Sequence, residues 1–130
     1  MTPPIGSILL GTRDPDRLRD WYDAAFGARP NDDGFLAFGD IGVLIDRRDD
    51  VADATAEPGR VILNLHVDDA RSLEQHLDSV GATLLSRVEE RDHGMLFGTV
   101  VDPDGNYVQI IELGSEYIES RRTKESDHVR

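Results

Sequence analysis

Two stretches of the chain carry one pattern of apolar and polar positions. Ile8-Leu9-Leu10-Gly11-Thr12-Arg13-Asp14 is an apolar run ending in Asp, and Leu63-Asn64-Leu65-His66-Val67-Asp68-Asp69 has the same form 55 residues later. Each run reads as a strand leading into a helix. After Asp14, Leu18, Trp21, Tyr22, Ala25 and Phe26 fall at i, i+3, i+4, i+7 and i+8, one apolar stripe at helical period. After Asp69, Ala70, Leu73, Leu77 and Val80 make a narrower stripe. An Asp side chain accepts from the free N–H groups of a first helical turn, and proline is preset for the first helical position. Asp14, followed by Pro15, and Asp69 therefore mark N-caps. Gly27 and Gly81 mark the helix ends, since glycine enters the left-handed conformation of a C-terminal cap at little cost. Strand, Asp cap, helix and Gly stop in the same order predict an internal duplication rather than two chance amphipathic segments.

The segments after each helix are parallel too. Phe35–Phe38, Gly39-Asp40 and Val43–Asp46 predict a hairpin in the first half, with a short strand near Ala28–Pro30 as a weaker signal. In the second half Thr83–Val88, Met95–Val101 and Tyr107–Leu113 predict three strands. The turn Asp102-Pro103-Asp104-Gly105-Asn106 is strongly specified, with Pro fixing φ and Gly supplying positive φ. Residues 47–60 are acidic, aperiodic and carry Pro58-Gly59, which predicts a linker. The chain thus reads as one domain over residues 1–113, with modules at about 5–46 and 61–113. Residues 114–130 form a polar tail, for which disorder or one or two helical turns are the expectations.

Charge and composition narrow the function classes. Acids outnumber bases by 12, and the whole of that excess lies before residue 114, because the tail holds four acids and four bases. Such a charge repels polyphosphate, so neither nucleic acid nor an anionic membrane surface is an expected partner. There is no cysteine, which excludes disulfides, thiol nucleophiles and zinc ribbons together. No apolar run approaches the about 20 residues of a membrane span, and the N-terminus has no signal-peptide pattern, so the expected location is cytoplasmic.

Two tandem βαβββ modules with these marks resemble the vicinal oxygen chelate superfamily, which includes glyoxalase I, bleomycin-resistance proteins and extradiol dioxygenases. The marks are the strand ending Thr12-Arg13-Asp14, the helix with Trp21-Tyr22 and Phe26-Gly27, the second opening Leu65-His66-Val67-Asp68-Asp69, and Asp102–Asn106 before the last strand. The resemblance implies an α+β fold in which paired βαβββ modules form a curved, barrel-like sheet around a cavity, with helices outside. It also implies homodimers. Strand parity then assigns faces. Ser7, Leu9 and Gly11 share one face, and so do Ile62, Asn64 and His66, and Tyr107, Gln109 and Ile111. The apolar residues alternating with them belong under the helices.

Enzymes of this superfamily generally hold a divalent metal through His and Glu. Carried over residue by residue, the ligand positions fall on Ser7, Leu44, Ile62 and Gln109. Only Gln109 offers a carbonyl oxygen, so the resemblance implies a member without the usual metal site, and no cofactor is expected. A cluster of His66, His93 and Asp46 is the alternative for a divalent metal. The leading expectation is metal-independent binding of a small organic molecule, cationic or amphipathic given the acidic body, in the inter-module cavity. Its expected contacts are Ser7, Leu9, Leu44, Asp46, Ile62, Asn64, His66, His93, Tyr107 and Gln109, with Asn64, His66 and Gln109 converging on a buried pocket. The alternatives are a glyoxalase- or dioxygenase-like enzyme with an atypical metal site, or an isomerase or cyclase with His66 as acid–base catalyst. The pairs Asp68-Asp69 and Asp102/Asp104 are explained by cap and turn duties and are expected to face solvent.

Overall fold

The computed structural model describes residues 1–114 of the 130-residue chain. The expectations for the tail beyond Gly114 lie outside the described residues. The elements in order are β1 (Ser7–Thr12), α1 (Pro15–Phe26), β2 (Leu36–Phe38), β3 (Ile41–Arg47), β4 (Leu63–His66), α2 (Ala70–Ser79), β5 (Thr83–Glu90), β6 (Leu96–Val101) and β7 (Tyr107–Glu112), with a single 3-10 turn at Asp92–Gly94. Among the described residues the fold is α+β, with two helices and two mixed sheets.

Both predicted Asp N-caps are in place and Gly27 is the predicted C-cap of α1, whereas α2 is capped by Val80, one residue before Gly81 at φ 76°. The Asp14 carboxylate accepts from Arg17 N at 3.1 Å, and the Gly27 N–H, at φ 67°, donates to Asp23 O at 2.8 Å. The stripe buries Leu18, Tyr22 and Ala25 completely or nearly so. Trp21 and Phe26 are only half-buried and meet Tyr22 through ring edges and tilted faces. On α2, Asp69 accepts from both Ser72 N and Ser72 Oγ, which holds its carboxyl below the usual carboxylate range. The Glu112 carboxylate fills a second free donor of the same helix end, Ala70 N, at 2.8 Å. Val80, placed in the apolar stripe by its spacing, is instead the C-cap and is exposed. The helix has ended by that residue, so the 3.6-residue period no longer aims it at the core.

The two sheets repeat one register. In the first sheet the order is β1-β3-β2, with β1 parallel to β3; in the second it is β4-β7-β6-β5, with β4 parallel to β7. Ile8 pairs with Val43, as Leu63 pairs with Val108; Leu9 pairs with Leu44, as Asn64 pairs with Gln109. Identical pairing in both halves is what a duplication leaves behind. The halves differ where the sequence does. Where the second half has the eight-residue β5, the first has one bridge, Pro30 to Leu36, because proline brings no N–H to a ladder.

The described residues divide into two compact units, residues 1–61 with 101–107, and residues 62–100 with 108–114. In the first, α1 covers the sheet face of Leu36, Val43 and Ile45. The turn Asp102–Asn106 belongs to this unit and corrects one expectation. Asp102 does not face solvent but is 4% exposed, because four donors meet it inside. Oδ2 accepts from Tyr22 OH and Asn106 Nδ2, and Oδ1 from the N–H groups of Asp104 and Asn106, all at 2.9 Å. In the second unit, α2 packs on β5, and the core holds Leu77, Val88, Val100, Val108 and Ile110. Gly98 lies among them, since a Cβ there would stand 2.9 Å from Val88 Cγ2 and 3.4 Å from Ile110 Cγ1.

Candidate functional site

Parity along β4 and β7 separates two faces of the second sheet. Val108 and Ile110 are fully buried in the core, and Leu63 and Leu65 are half-buried on that side. The opposite face carries Asn64 beside its partner Gln109, His66 beside Ile111, and Tyr107. Asn64 and His66 are exposed and Gln109 and Tyr107 half-buried. The three polar groups therefore share a face as parity predicts, but Asn64 and His66 stand at its surface rather than in a buried pocket. They lie on the four-residue edge strand β4, which has a neighbour on one side only.

Strand β6 adds residues that sequence reasoning missed. Gly98 points into the core, so Phe97 and Thr99 alternate onto the face of Gln109. The guanidinium of Arg91 stands 5.0 Å from the centre of the Phe97 ring. Leu96-Phe97-Gly98-Thr99-Val100 is apolar or small at both parities, so nothing in the sequence alone said which set faced which way. His93 sits before β6 on an exposed turn with left-handed backbone, φ 61°.

On the first sheet the register places Ser7, Leu9 and Gly11 of β1 on the face of Gly42, Leu44 and Asp46 of β3. Ser7, Leu9 and Asp46 are exposed and Leu44 is half-buried. A hollow of about 400 Å³ runs along Ser7, Phe35, Ala37 and Gly42, with Asn31 and Asp40 at its border. Asn31 shapes that border by accepting from the N–H groups of Asp33 and Phe35, each at 3.0 Å. Gly42 leaves room for Phe35, since a Cβ there would crowd the Phe35 side chain at 3.0–3.2 Å.

Four residues are those to which the resemblance assigns the superfamily's metal-ligand positions. Ser7 and Leu44 lie on one face of the first sheet. Ile62 immediately precedes β4 and is 39% exposed, and Gln109 is on β7. A hydroxyl, two alkyl groups and an amide do not make a transition-metal site. Among the described residues no three His, Asp or Glu side chains are grouped so as to hold a metal ion. No helix of the described residues is long and apolar enough to cross a membrane.

Comparison with known proteins agrees with this architecture. A glyoxalase-like domain model matches residues 7–111. No curated protein matches the chain. Among solved structures, a glyoxalase-related enzyme from Fulvimarina pelagi is similar at 25% identity and TM-score 0.67, over 86% of this chain and 89% of that one. A glyoxalase/bleomycin resistance protein/dioxygenase family enzyme from Burkholderia phytofirmans PsJN is similar at 17% identity and TM-score 0.69, over 85% and 98%. TioX from Micromonospora sp. ML1 is similar at 20% identity and TM-score 0.65, over 82% and 95%. With the same parallel register repeated in its two sheets, and without the usual metal ligands, the chain belongs to the glyoxalase-like domain family.

Proposed function

We propose that this protein binds a small organic molecule without a metal, in the manner of the glyoxalase/bleomycin-resistance type. The observation that carries the reading is the donor set Ser7, Leu44, Ile62 and Gln109 at the superfamily's metal positions. A chelating Lewis acid needs three or four convergent N or O donors and open coordination positions. What remains without one is recognition by shape and hydrogen bonds. The face of Asn64, His66 and Gln109 supports it, since a few polar groups among Phe97, Tyr107 and Ile111 is the usual make-up of a small-molecule surface. The acidic body favours a cationic or amphipathic ligand through long-range attraction.

The test is elemental analysis of protein purified without chelator, paired with thermal melts with and without EDTA. The expected result is far less than one equivalent of zinc, nickel, iron or manganese per chain, and melts that superimpose. Near one equivalent, with a lower melting temperature in EDTA, would sink the proposal.

A further inference from the structure

The repeated register supplies an internal control for the second sheet. Leu9 pairs with Leu44 at the position where Asn64 pairs with Gln109. Exposure is alike as well, since Leu9 and Asn64 are exposed and Leu44 and Gln109 half-buried. The fold therefore accepts two leucines at this position, and neither the ladder nor contact with solvent demands a carboxamide there. Asparagine is also among the residues depleted in strands, where its side chain packs poorly on a pleated surface.

Carboxamides are scarce in this chain, which holds three Asn and two Gln beside 14 basic and 26 acidic residues. Asn31 accepts from the N–H groups of Asp33 and Phe35, and Asn106 donates to Asp102, so both build turns. Asn64 and Gln109 build nothing of the kind. Among the described residues neither side chain hydrogen-bonds to another group. Arg91, the arginine over Phe97, is committed to Glu89 and to that ring. Two free carboxamides on adjacent strands thus offer N–H donors and C=O acceptors side by side.

That mixture selects a chemical class. A carboxylate only accepts and an ammonium only donates, so either would leave half of the pair unmatched. A carboxamide, lactam or urea edge carries a C=O and an N–H in one plane and matches both. Its oxygen accepts from one side-chain NH2, and its N–H donates to the oxygen of the other. We propose that Asn64 and Gln109 are the specificity-determining pair of this face and read an amide edge of the ligand, whose apolar part lies against Phe97. The inference rests on the small-molecule function proposed for the face and adds the class of group bound there. It concerns that group and not the ligand's total charge, so an amphipathic cation that carries an amide satisfies it.

The experiment is an NMR titration of the 15N-labelled full chain with millimolar benzamide. Methyl benzoate, which keeps the ring and the C=O but has no N–H, and sodium benzoate, which only accepts, are run beside it. Benzamide is expected to move the side-chain NH2 signals of Asn64 and Gln109 saturably and to leave those of Asn31 and Asn106 in place. The ester and the benzoate are expected to bind about fivefold more weakly, or less, the worth of one neutral hydrogen bond. Asn64→Leu with Gln109→Leu gives the second sheet the pair of the first, and should lower the affinity for benzamide to that for the ester while leaving the ester unchanged. If that variant fails to fold, Gln109→Glu keeps the side-chain shape but replaces a donor by an acceptor, with the same loss of preference expected. Equal binding of amide and ester at this face, or a preference that survives the substitutions, overturns the amide edge and leaves the small-molecule function standing. If no probe moves the signals of this face, both fall.

Discussion

Tyr22 is fully buried in the stripe of α1, and burial there would strand its hydroxyl had Asp102 not come within 2.9 Å. Both groups respond electrostatically. Burial, then the charge and hydrogen bond of Asp102, raise the Tyr22 hydroxyl well above the ordinary tyrosine range. Burial raises the Asp102 carboxyl, outweighing the donors from Asn106, Tyr22 and Asp104 that pull it down. Because the folded value lies above the unfolded one, near 3.9, Asp102 favours the folded state most below that pH and loses that contribution as pH rises through the folded value. The Tyr22 hydrogen bond opposes the loss by stabilising the carboxylate. Tyr22→Phe is therefore expected to cost about 1.5–3 kcal/mol at pH 7, and clearly less near pH 3.5. Urea denaturation at the two pH values checks this; an equal cost at both would refute the coupling. Tyr22 was legible in the helical period. Asp102 was not, because Asp-Pro-Asp-Gly-Asn is a complete turn on local grounds, and its tertiary partner lies 80 residues away.

The elements were legible where one periodicity ruled. Both helices, their Asp caps and the parallel repeat could be read because each stripe or cap is a local pattern. The predicted strand near Ala28–Pro30 shrank to a single bridge, and β6 hid its facing, since one lacks a donor and the other is apolar or small at both parities. Gly98 resolves that facing and is testable. Gly98→Ala would drive a methyl to 2.9 Å from Val88 Cγ2, so the buried, β-branched Val88 side chain would have to shift. Overpacking of this kind costs about 1–3 kcal/mol, read as a lower urea midpoint at unchanged m. A neutral result would place Gly98 outside the core and reverse the assignment of Phe97 and Thr99. At the start of α2, Asp69→Ala removes the acceptor of two Ser72 donors and is expected to lower the urea midpoint at pH 7. Its folded carboxyl titrates below the unfolded one, so the stabilisation is present above the unfolded pKa and disappears as pH falls through the folded value. The mutant and parent stabilities should therefore converge in acid; a constant gap down to pH 2.5 would assign the loss to something other than the cap.

For the whole molecule, the polar set Asn64, His66 and Gln109 was legible as one face, because alternation along a strand needs no tertiary knowledge. Its exposure was not, since exposure depends on what covers the sheet. The hydrogen bond from Thr55 N to Asp104 O was equally invisible, because the loop and turn that it joins are far apart in sequence and neither has a periodicity. Charge is the global property that the sequence states in full, and it decides between two electrostatic effects of opposite sign. Ion pairs such as Arg48–Asp50, Arg60–Glu57 and Arg91–Glu89 join exposed side chains, and pairs of this kind contribute little to stability, which salt weakens further. Against them stands a net charge of −12, whose self-repulsion destabilises the compact state and is also weakened by salt. The pairs are local and already surrounded by water. The repulsion sums over many carboxylates separated by more than the Debye length at physiological salt, about 8 Å, and shorter than that length at 0.01 M, about 30 Å. Removing the repulsion should therefore outweigh removing the pairs. Raising sodium chloride from 10 mM to 0.5 M at pH 7.5 is expected to increase the melting temperature by about 3–6 °C, equivalent to roughly 1 kcal/mol. Differential scanning calorimetry across that range reads the sign directly. A falling melting temperature would mean that the exposed ion pairs, not the excess of carboxylates, dominate the stability of this acidic chain.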